Sequence, residues 1–422
     1  MTRQEFEDIT ALLATILFAT EFDGHVYAVG GSVRDYVMGN EIKDIDLVVD
    51  LPEGGIRLAE HLYRHDHLLY EPVTYPAYGT CQFRIKSMPD IELEAVHTRG
   101  EQYHSDSRNP ETCFADINAD SIRRDLTINA LYFNIFTEEI IDPTGKGLDD
   151  IKNRAIRTSN TDPDIVFNDD PLRILRVIRF AARFGWNIAE KTFESMKKNA
   201  GRMSIISRER ITAEYVNILK TDNPDYGMLN VYMCGLWETV TGKHPIGDPF
   251  RYVESITLNL NKAAEKKASL RSRLALVYPG VCPEMVYETL HKLCFTTETA
   301  KEVSTIANYI HHFDALCTPP MIREIQLGMS RETFKNLLDA MEISYGGSLD
   351  FGEIRKMCAE CDMFDYKLPV DGNDIMAELN MPSGKHIGAI LSYLKSVACE
   401  KPDVTREYLI GAARQFAGIL GK

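Results

Sequence analysis

The feature that most limits how this chain can fold is a change of hydrophobic period near residue 158. From Tyr27 to about Asp150, short apolar runs alternate with turns. Tyr27–Val29, Leu47–Val49, Leu68–Tyr70, Gly79–Ile85 and Ile91–Val96 read as strands, and Leu58–Arg64 reads as a helix. Pro143, Gly145 and Gly147 punctuate the end of this region. Beyond Thr158 strand signals nearly vanish and the 3.6-residue helical period dominates. Strands followed by helices predict an α+β chain of separate modules. The expected division is a mixed-sheet head (1–158), then an all-helical neck (159–220), body (221–330) and tail (331–422). Pro224, Pro245–Pro249, Pro319–Pro320 and Pro369–Asn373 mark the joints.

Within the head, the stretch Tyr27–Asp46 concentrates the chemistry. A strand breaks at Gly30-Gly31-Ser32, Val33–Met38 continues as a short helix, and Gly39 closes it. Glycines at a strand-to-helix junction let backbone amides approach a phosphate, and the helix N-terminus favours its charge. Arg34 is placed for a bidentate grip on the same group. Asp44 and Asp46 are two apart and lead into a strand, so both carboxylates face one side. Two such carboxylates with substrate phosphates suit Mg²⁺. Glu92 and Glu94 likewise share one strand face; a solvent-facing strand edge is the alternative.

Composition narrows the classes. A net charge of −15 argues against a broadly basic nucleic-acid binder but allows segregated charge, and arginines here do cluster. The apolar run Ile9–Ala19 is too short to span a bilayer and follows acidic residues, so it is expected to be an amphipathic helix. Nine scattered cysteines point to a reducing, cytoplasmic setting. Cys358 and Cys361 lack a second pair and read as buried thiols.

The densest later signal is Asn168–Trp186, NDDPLRILRVIRFAARFGW. Asn168 or Asp169 is the expected N-cap, with Pro171 in the first turn. At about 100° per residue, Ile174, Leu175, Val177, Ile178, Ala181 and Ala182 form one arc. Arg173, Arg176, Arg179 and Arg183 form the opposite arc, an anion-binding face with few acids nearby in sequence. Asp170 and Arg173 are spaced to act as one edge. A carboxylate accepts from the amino group of cytosine or adenine while a guanidinium donates to the adjacent ring nitrogen. Guanine and uracil present the reverse pattern, at a cost of roughly 1–3 kcal/mol per bidentate contact.

Taken together, GGSVRD…DIDLVV, RRDLTINAL (residues 123–131) and DDPLR (169–173) resemble the class II tRNA CCA-adding enzymes and bacterial poly(A) polymerases of the DNA polymerase β superfamily. The resemblance covers about residues 24–220, with a weaker match at Val370–Leu394. It implies a polymerase β-like head and metal-dependent addition of C, C and A to a tRNA 3′ end from CTP and ATP, without a template. Asp44 and Asp46 would hold Mg²⁺, and Glu94 is the candidate third carboxylate. Gly31, Arg34, Arg124, Arg176 and Arg179 would hold the nucleotide, while Asp170 and Arg173 read the base. Asp125 and Asn129 would order the head–neck junction or help hold the sugar, within a segment expected to lead into an apolar helix.

The polar segment Arg99–Asp120, expected to be mobile, resembles the family's flexible loop through Arg99, Glu101, Tyr103, Ser107, Arg108 and Pro110. Glu209 and Arg210 would brace the recognition helix. Gly384, Lys385, His386 and Gly388 would meet RNA phosphates or form a capping turn. His311-His312-Phe313-Asp314 is not read as a metal site. The expected partners are tRNA, CTP and ATP, with no membrane. A poly(A) polymerase or A-adding enzyme is the rival, and a catalytically silent RNA-binding protein is the alternative from another class.

Overall fold

The computed structural model describes residues 1–76, 79–102, 111–243, 247–310, 316 and 318–420, without the side chains of 101, 102, 111–113 and 420. The chain forms two compact units: residues 1–218 with 230–239, and residues 219–229 with 240–422.

The first unit opens with α1 (Arg3–Leu17), the expected amphipathic helix. Thr2 caps it: its hydroxyl accepts from the Glu5 amide, and the Glu5 carboxylate accepts from the Thr2 amide. Then come β1 (Val26–Val29), α2 (Gly31–Met38), β2 (Ile45–Val49) and α3 (Gly54–Arg64). β3 (Val73–Tyr75), β4 (Thr80–Phe83) and β5 (Leu93–His97) follow. After the pair β6 (Arg99–Gln102) and β7 (Glu111–Phe114), α4 (Ile117–Arg123) leads to β8 (Tyr132–Asn134) and β9 (Ile140–Ile141). The main sheet has seven strands in the order β3-β4-β5-β2-β1-β8-β9, with β2 and β5 parallel and every other pair antiparallel.

Period-2 alternation divides this sheet into two chemically distinct faces. Ala28, Leu47, Ala95 and Phe133 turn into a core shared with Phe6, Leu13 and Leu17 of α1 and Val33 of α2. Tyr27, Val29, Val48 and Tyr132 form a second cluster on the other face, which is where the alternation also puts Asp46. α3 seats against β5 because residue 55 is glycine: a Cβ there would lie 2.7 Å from Val96 Cα and 2.8 Å from the Ala95 carbonyl oxygen.

Helices continue the unit: α5 (Gly147–Asn153), α6 (Pro163–Asp169), α7 (Arg173–Phe184), α8 (Glu190–Asn199) and α9 (Arg208–Leu219). Between them, β10 (Ala155–Ile156) pairs in parallel with β11 (Asn187–Ile188), a small sheet beyond the point where strand signals fade. The expected arc of α7 is fully buried: Ile174, Leu175, Val177, Ile178, Ala181 and Ala182 are each 0% exposed.

Several local expectations are corrected. Leu68–Tyr70 contributes only an isolated bridge, Leu68 to Ile85, and the strand begins after Pro72, which has no N–H for a ladder. No helix follows Arg124. A single 3₁₀ turn at Thr127–Asn129 leads into β8, because pairing of Tyr132–Asn134 with β1 overrides the local preference. The one helix expected over Asn168–Trp186 is two: Asp170 is extended between α6 and α7, and its carboxylate accepts from the Leu172 amide. The N-cap thus falls after Asn168 and Asp169. The ends of the polar segment Arg99–Asp120 are ordered as β6, β7 and α4, whereas Tyr103, Ser107, Arg108 and Pro110 lie outside the described residues.

In the second unit the elements are helices, among them Pro249–Glu265, Arg331–Tyr345, Lys385–Glu400 and Arg406–Leu420. Pro249 and Pro319, at two expected joints, sit in first helical turns. Gly384 stands at the N-cap of Lys385–Glu400. Cys358 and Cys361 are both buried, and burial pushes the Cys358 thiol up to about 11, as suits structural thiols. His311–Asp314 lies outside the described residues. No helix among the described residues is long and apolar enough to cross a membrane.

Candidate active site

A cleft of about 500 Å³ opens in the first unit beside the ends of β1 and β2. Its lining includes Gly31, Arg34, Asp44, Asp46, Arg124, Arg176 and Arg179, all singled out from the sequence. Glu94, Asp170 and Arg173 do not line it. Six cationic side chains (Arg34, Lys43, Arg124, Arg176, Arg179, Arg183) face four acidic ones (Asp35, Asp44, Asp46, Asp125). Positive charge is therefore gathered here within an acidic protein.

The carboxylate end is set by strand register. Asp46 on β2 pairs directly with Glu94 on the parallel strand β5 and with Val29 on β1. Glu94 accepts from Gln82 Nε2 on β4 at 3.4 Å, so it stands beside Asp46 while remaining outside the cleft lining. Desolvation and then the neighbouring Glu94 charge push the Asp46 carboxyl above its usual range; Asp44 adds to this and Arg124 opposes it. Carboxylates crowded in this way favour an arriving cation. Among the described residues no group of three His, Cys, Asp or Glu side chains forms a protein-only metal cage. Two carboxylates that leave positions for water and further oxygens fit a hard divalent ion.

Gly30 joins this end to the cationic wall. Its φ is +76°, and a Cβ there would sit 3.7 Å from Arg124 Nη1 and 4.0 Å from Asp46 Oδ2. Glycine at this position gives α2 its strained entry and leaves the space between guanidinium and carboxylate open. Arg124 is aimed by Asp120, which is 2% exposed. Asp120 Oδ2 accepts from Arg124 Nε at 3.0 Å and from the Tyr132 hydroxyl at 2.6 Å, and Oδ1 accepts from the Arg99 amide at 3.1 Å. Burial pushes the Asp120 carboxyl up, but Arg124, the Tyr132 hydroxyl and Arg123 outweigh it and hold it low.

The arginine row is not bare. Arg176 donates to Asp125 Oδ2 from Nε (2.9 Å) and Nη2 (2.6 Å), Arg179 Nε donates to Glu214 at 2.7 Å, and Arg183 lies 3.6 Å from Asp35. The mutual repulsion expected from local sequence is relieved by acids on other elements. Arg34 is 3% exposed, and its fork closes on Asp35 at 3.0 and 2.8 Å while Nη1 donates to Asn129 Oδ1 at 2.6 Å. Asn129 in turn donates to Asp125 at 3.0 Å. A chain Asp35–Arg34–Asn129–Asp125–Arg176 thus ties α2 to α7, and Arg34 commits three of its five N–H donors to it. Burial pushes the Asp125 carboxyl up, yet Arg176 and the Asn129 bond bring it below the ordinary range.

The side chains of Asp170 and Arg173 do not pair with each other, although the Arg173 amide donates to the Asp170 carbonyl at 3.0 Å. Asp170 Oδ2 accepts from Arg210 Nη2 at 2.7 Å, while Arg173 Nη1 lies 4.0 Å from Asp169 and is buried with no hydrogen-bond acceptor. The expected Glu209–Arg210 brace therefore acts through Arg210 on Asp170. Sequence reasoning missed Asp35, Lys43, Asp120, Tyr132, Phe180 and Glu214. Only Phe180 carried a local signal, its place beside Arg179, whose guanidinium lies 4.5 Å from its ring centroid.

Comparison with known proteins shows likeness in sequence and in fold. Residues 26–157 match the family model of the poly A polymerase head domain, and residues 185–241 match the model for the probable RNA and SrmB-binding site of polymerase A. The tRNA nucleotidyltransferase cca1 of Schizosaccharomyces pombe is 32% identical over 230 residues, covering 50% of this chain and 45% of that protein. This chain thus spans less than half the length of that relative. A CCA-adding enzyme of Levilactobacillus brevis is 28% identical over 415 residues, 93% of each chain. Among solved structures, the Bacillus stearothermophilus CCA-adding enzyme in complex with CTP superposes with a TM-score of 0.75 at 20% identity, covering 97% of this chain and 98% of that one. The Thermotoga maritima CCA-adding enzyme complexed with tRNA gives 0.68 at 20%, covering 99% of each. At such identity the likeness is one of fold.

Proposed function

We propose, from the chain's membership of the poly A polymerase head-domain family carried by residues 26–157, that it is a tRNA nucleotidyltransferase adding C, C and A from CTP and ATP. The observation that carries this reading is the convergence of Asp44, Asp46 and Arg124 with the α7 arginine row on one cleft. The similarity to a CCA-adding enzyme over 93% of both chains supports it.

Asp44 and Asp46, with Glu94 beside them, would hold magnesium, which when bound neutralises triphosphate charge and lowers the pKa of the attacking 3′-hydroxyl. The chain's own groups do the remaining work. The Gly30–Gly31 backbone admits the phosphates closely, and Arg124, fixed by Asp120 and Tyr132, meets the charge that develops as pyrophosphate leaves. Arg176 and Arg179, held by Asp125 and Glu214, line the cleft along α7 and orient the nucleotide. No protein nucleophile is needed; positioning and charge carry the rate.

Asp170 and Arg173 are assigned to base reading. Neither side chain lines the cleft, and Arg173 Nη1 is buried with no acceptor, so reading a base requires the guanidinium to turn into the cleft. Residues 1–158 would form the catalytic head, 159–220 the recognising neck, 221–330 the body and 331–422 an RNA-binding tail, in a cytoplasmic protein. The test incubates tRNA lacking CCA, CA or A with labelled CTP and ATP, separately and together. Addition confined to completing CCA supports the reading, and long tails from ATP alone would replace it with poly(A) synthesis.

A further inference from the structure

The first unit contains a second cavity, about 150 Å³, which the nucleotide site does not use. Its floor is hydroxyl-rich and buried: Thr127 and Thr158 are each 1% exposed, Thr192 is 1% and Ser159 is 6%. Its rim carries Lys146 before α5, Arg157 after β10 and Lys191 in the first turn of α8. No carboxylate lines it. Three cations from three elements meet here without a lining acid in a chain of net charge −15; Arg157 is paired behind the rim with Asp150, and Lys146 and Lys191 supply the net positive charge.

Those cations retain unused donors. The Lys146 ammonium makes no hydrogen bond or ion pair with the described residues. Lys191 Nζ donates once, to the Thr161 carbonyl at 2.6 Å, leaving two protons. Arg157 commits Nε to Asp150 behind it, at 3.0 and 3.2 Å, so its outer nitrogens remain free. At about 150 Å³ the cavity has room for one phosphate group.

The position relates this cavity to the nucleotide cleft. Its floor is a short backbone ladder: Thr127 N donates to the Arg157 carbonyl at 3.0 Å, and Ser159 N donates to the Asp125 carbonyl at 3.4 Å. Ser159 Oγ also donates to the Arg124 carbonyl. The backbone that places Arg124 and Asp125 in the nucleotide cleft thus forms the floor of this cavity. A polyanion reaching the 3′-end chemistry is the ligand that can place phosphates at both.

We propose that this cavity is a second phosphate site, holding one backbone phosphate of the RNA substrate between Lys146, Arg157 and Lys191. The inference rests on the RNA-extending reading above. Free pyrophosphate shares the same chemistry and is the competing source.

The test uses the full chain. Lys146→Ala/Lys191→Ala is compared with wild type and with Lys152→Ala/Lys197→Ala, which makes the same charge change at exposed lysines outside the cavity. Affinity for tRNA lacking its 3′ end is read by fluorescence anisotropy at several salt concentrations. The expected result is at least a fivefold loss of affinity and a log–log salt slope shallower by about one. KM for CTP and ATP at saturating RNA should be unchanged. A loss no greater than that of the control variant overturns the site. Retained RNA affinity with weakened pyrophosphate inhibition overturns the RNA assignment. Because binding is read without catalysis, an enzyme inert towards CTP and ATP would sink the proposed function while leaving this measurement decisive.

Discussion

Asp120→Asn probes the link between fold and chemistry most directly. The carboxylate is buried and accepts from Arg124, the Tyr132 hydroxyl and the Arg99 amide. Asparagine keeps the shape but has one acceptor oxygen and no charge. If that oxygen serves Arg99, the new amide points protons at Arg124, which can only donate; if it serves Arg124, the Arg99 amide is orphaned. Removing one partner of a buried ion pair costs about 3–5 kcal/mol. Arg124's side chain is 22% exposed at the cleft, which lowers the figure to about 2–3 kcal/mol. At about 2–4 °C per kcal/mol for a unit of this size, the thermal transition of the first unit should fall by about 4–12 °C. If Arg124 loses its aim, kcat/KM for nucleotide addition should fall by about a hundredfold, since 1.36 kcal/mol is tenfold. Tyr132→Phe, which deletes the bond donated to Asp120 and the longer one accepted from Arg124 Nε, should cost about 1–2 kcal/mol. Scanning calorimetry and single-nucleotide incorporation measure both effects. In an Arg124→Ala background, Asp120→Asn should add little further kinetic loss. Full activity with an unshifted transition, or additive losses in the double variant, would refute the positioning role.

Other outcomes follow from the same geometry. Asp44→Ala should abolish nucleotide incorporation while tRNA binding, read by anisotropy, is retained. Glu214→Gln should leave Arg179 without its charged partner and raise the KM for CTP and ATP several-fold with less effect on kcat. The folded-state pKa of Asp125 is depressed, so its contribution to stability is full above the unfolded value of about 3.9 and is lost as pH falls through the lower folded value. Acid unfolding of Asp125→Asn should therefore show a shallower dependence below about pH 4 than wild type. Among the described cysteines, exposed Cys282 should label with a maleimide at neutral pH well before buried Cys358, whose thiol is pushed up to about 11.

Local sequence carried the elements that depend on neighbours along the chain. The glycine break after Val29, the two aspartates around Ile45 and the division of α7 into apolar and arginine arcs follow from periods of 2 and 3.6. The structure places these features where the periods imply. Where a distant partner competes, local reading gave way. Ile128–Leu131 looked helical, but β1 offered Tyr132 and Phe133 a ladder and a core.

The residues by themselves determined which side chains would share a face: carboxylates with carboxylates, arginines with arginines. Only the tertiary structure decided what each face meets. Asp125 answers Arg176 across 51 residues and Glu214 answers Arg179 across 35, while Asn129 reaches Arg34 across 95. Helical and strand periods fix a direction from the backbone. Which counter-charge stands in that direction is set by packing between elements, where buried ions must be paired.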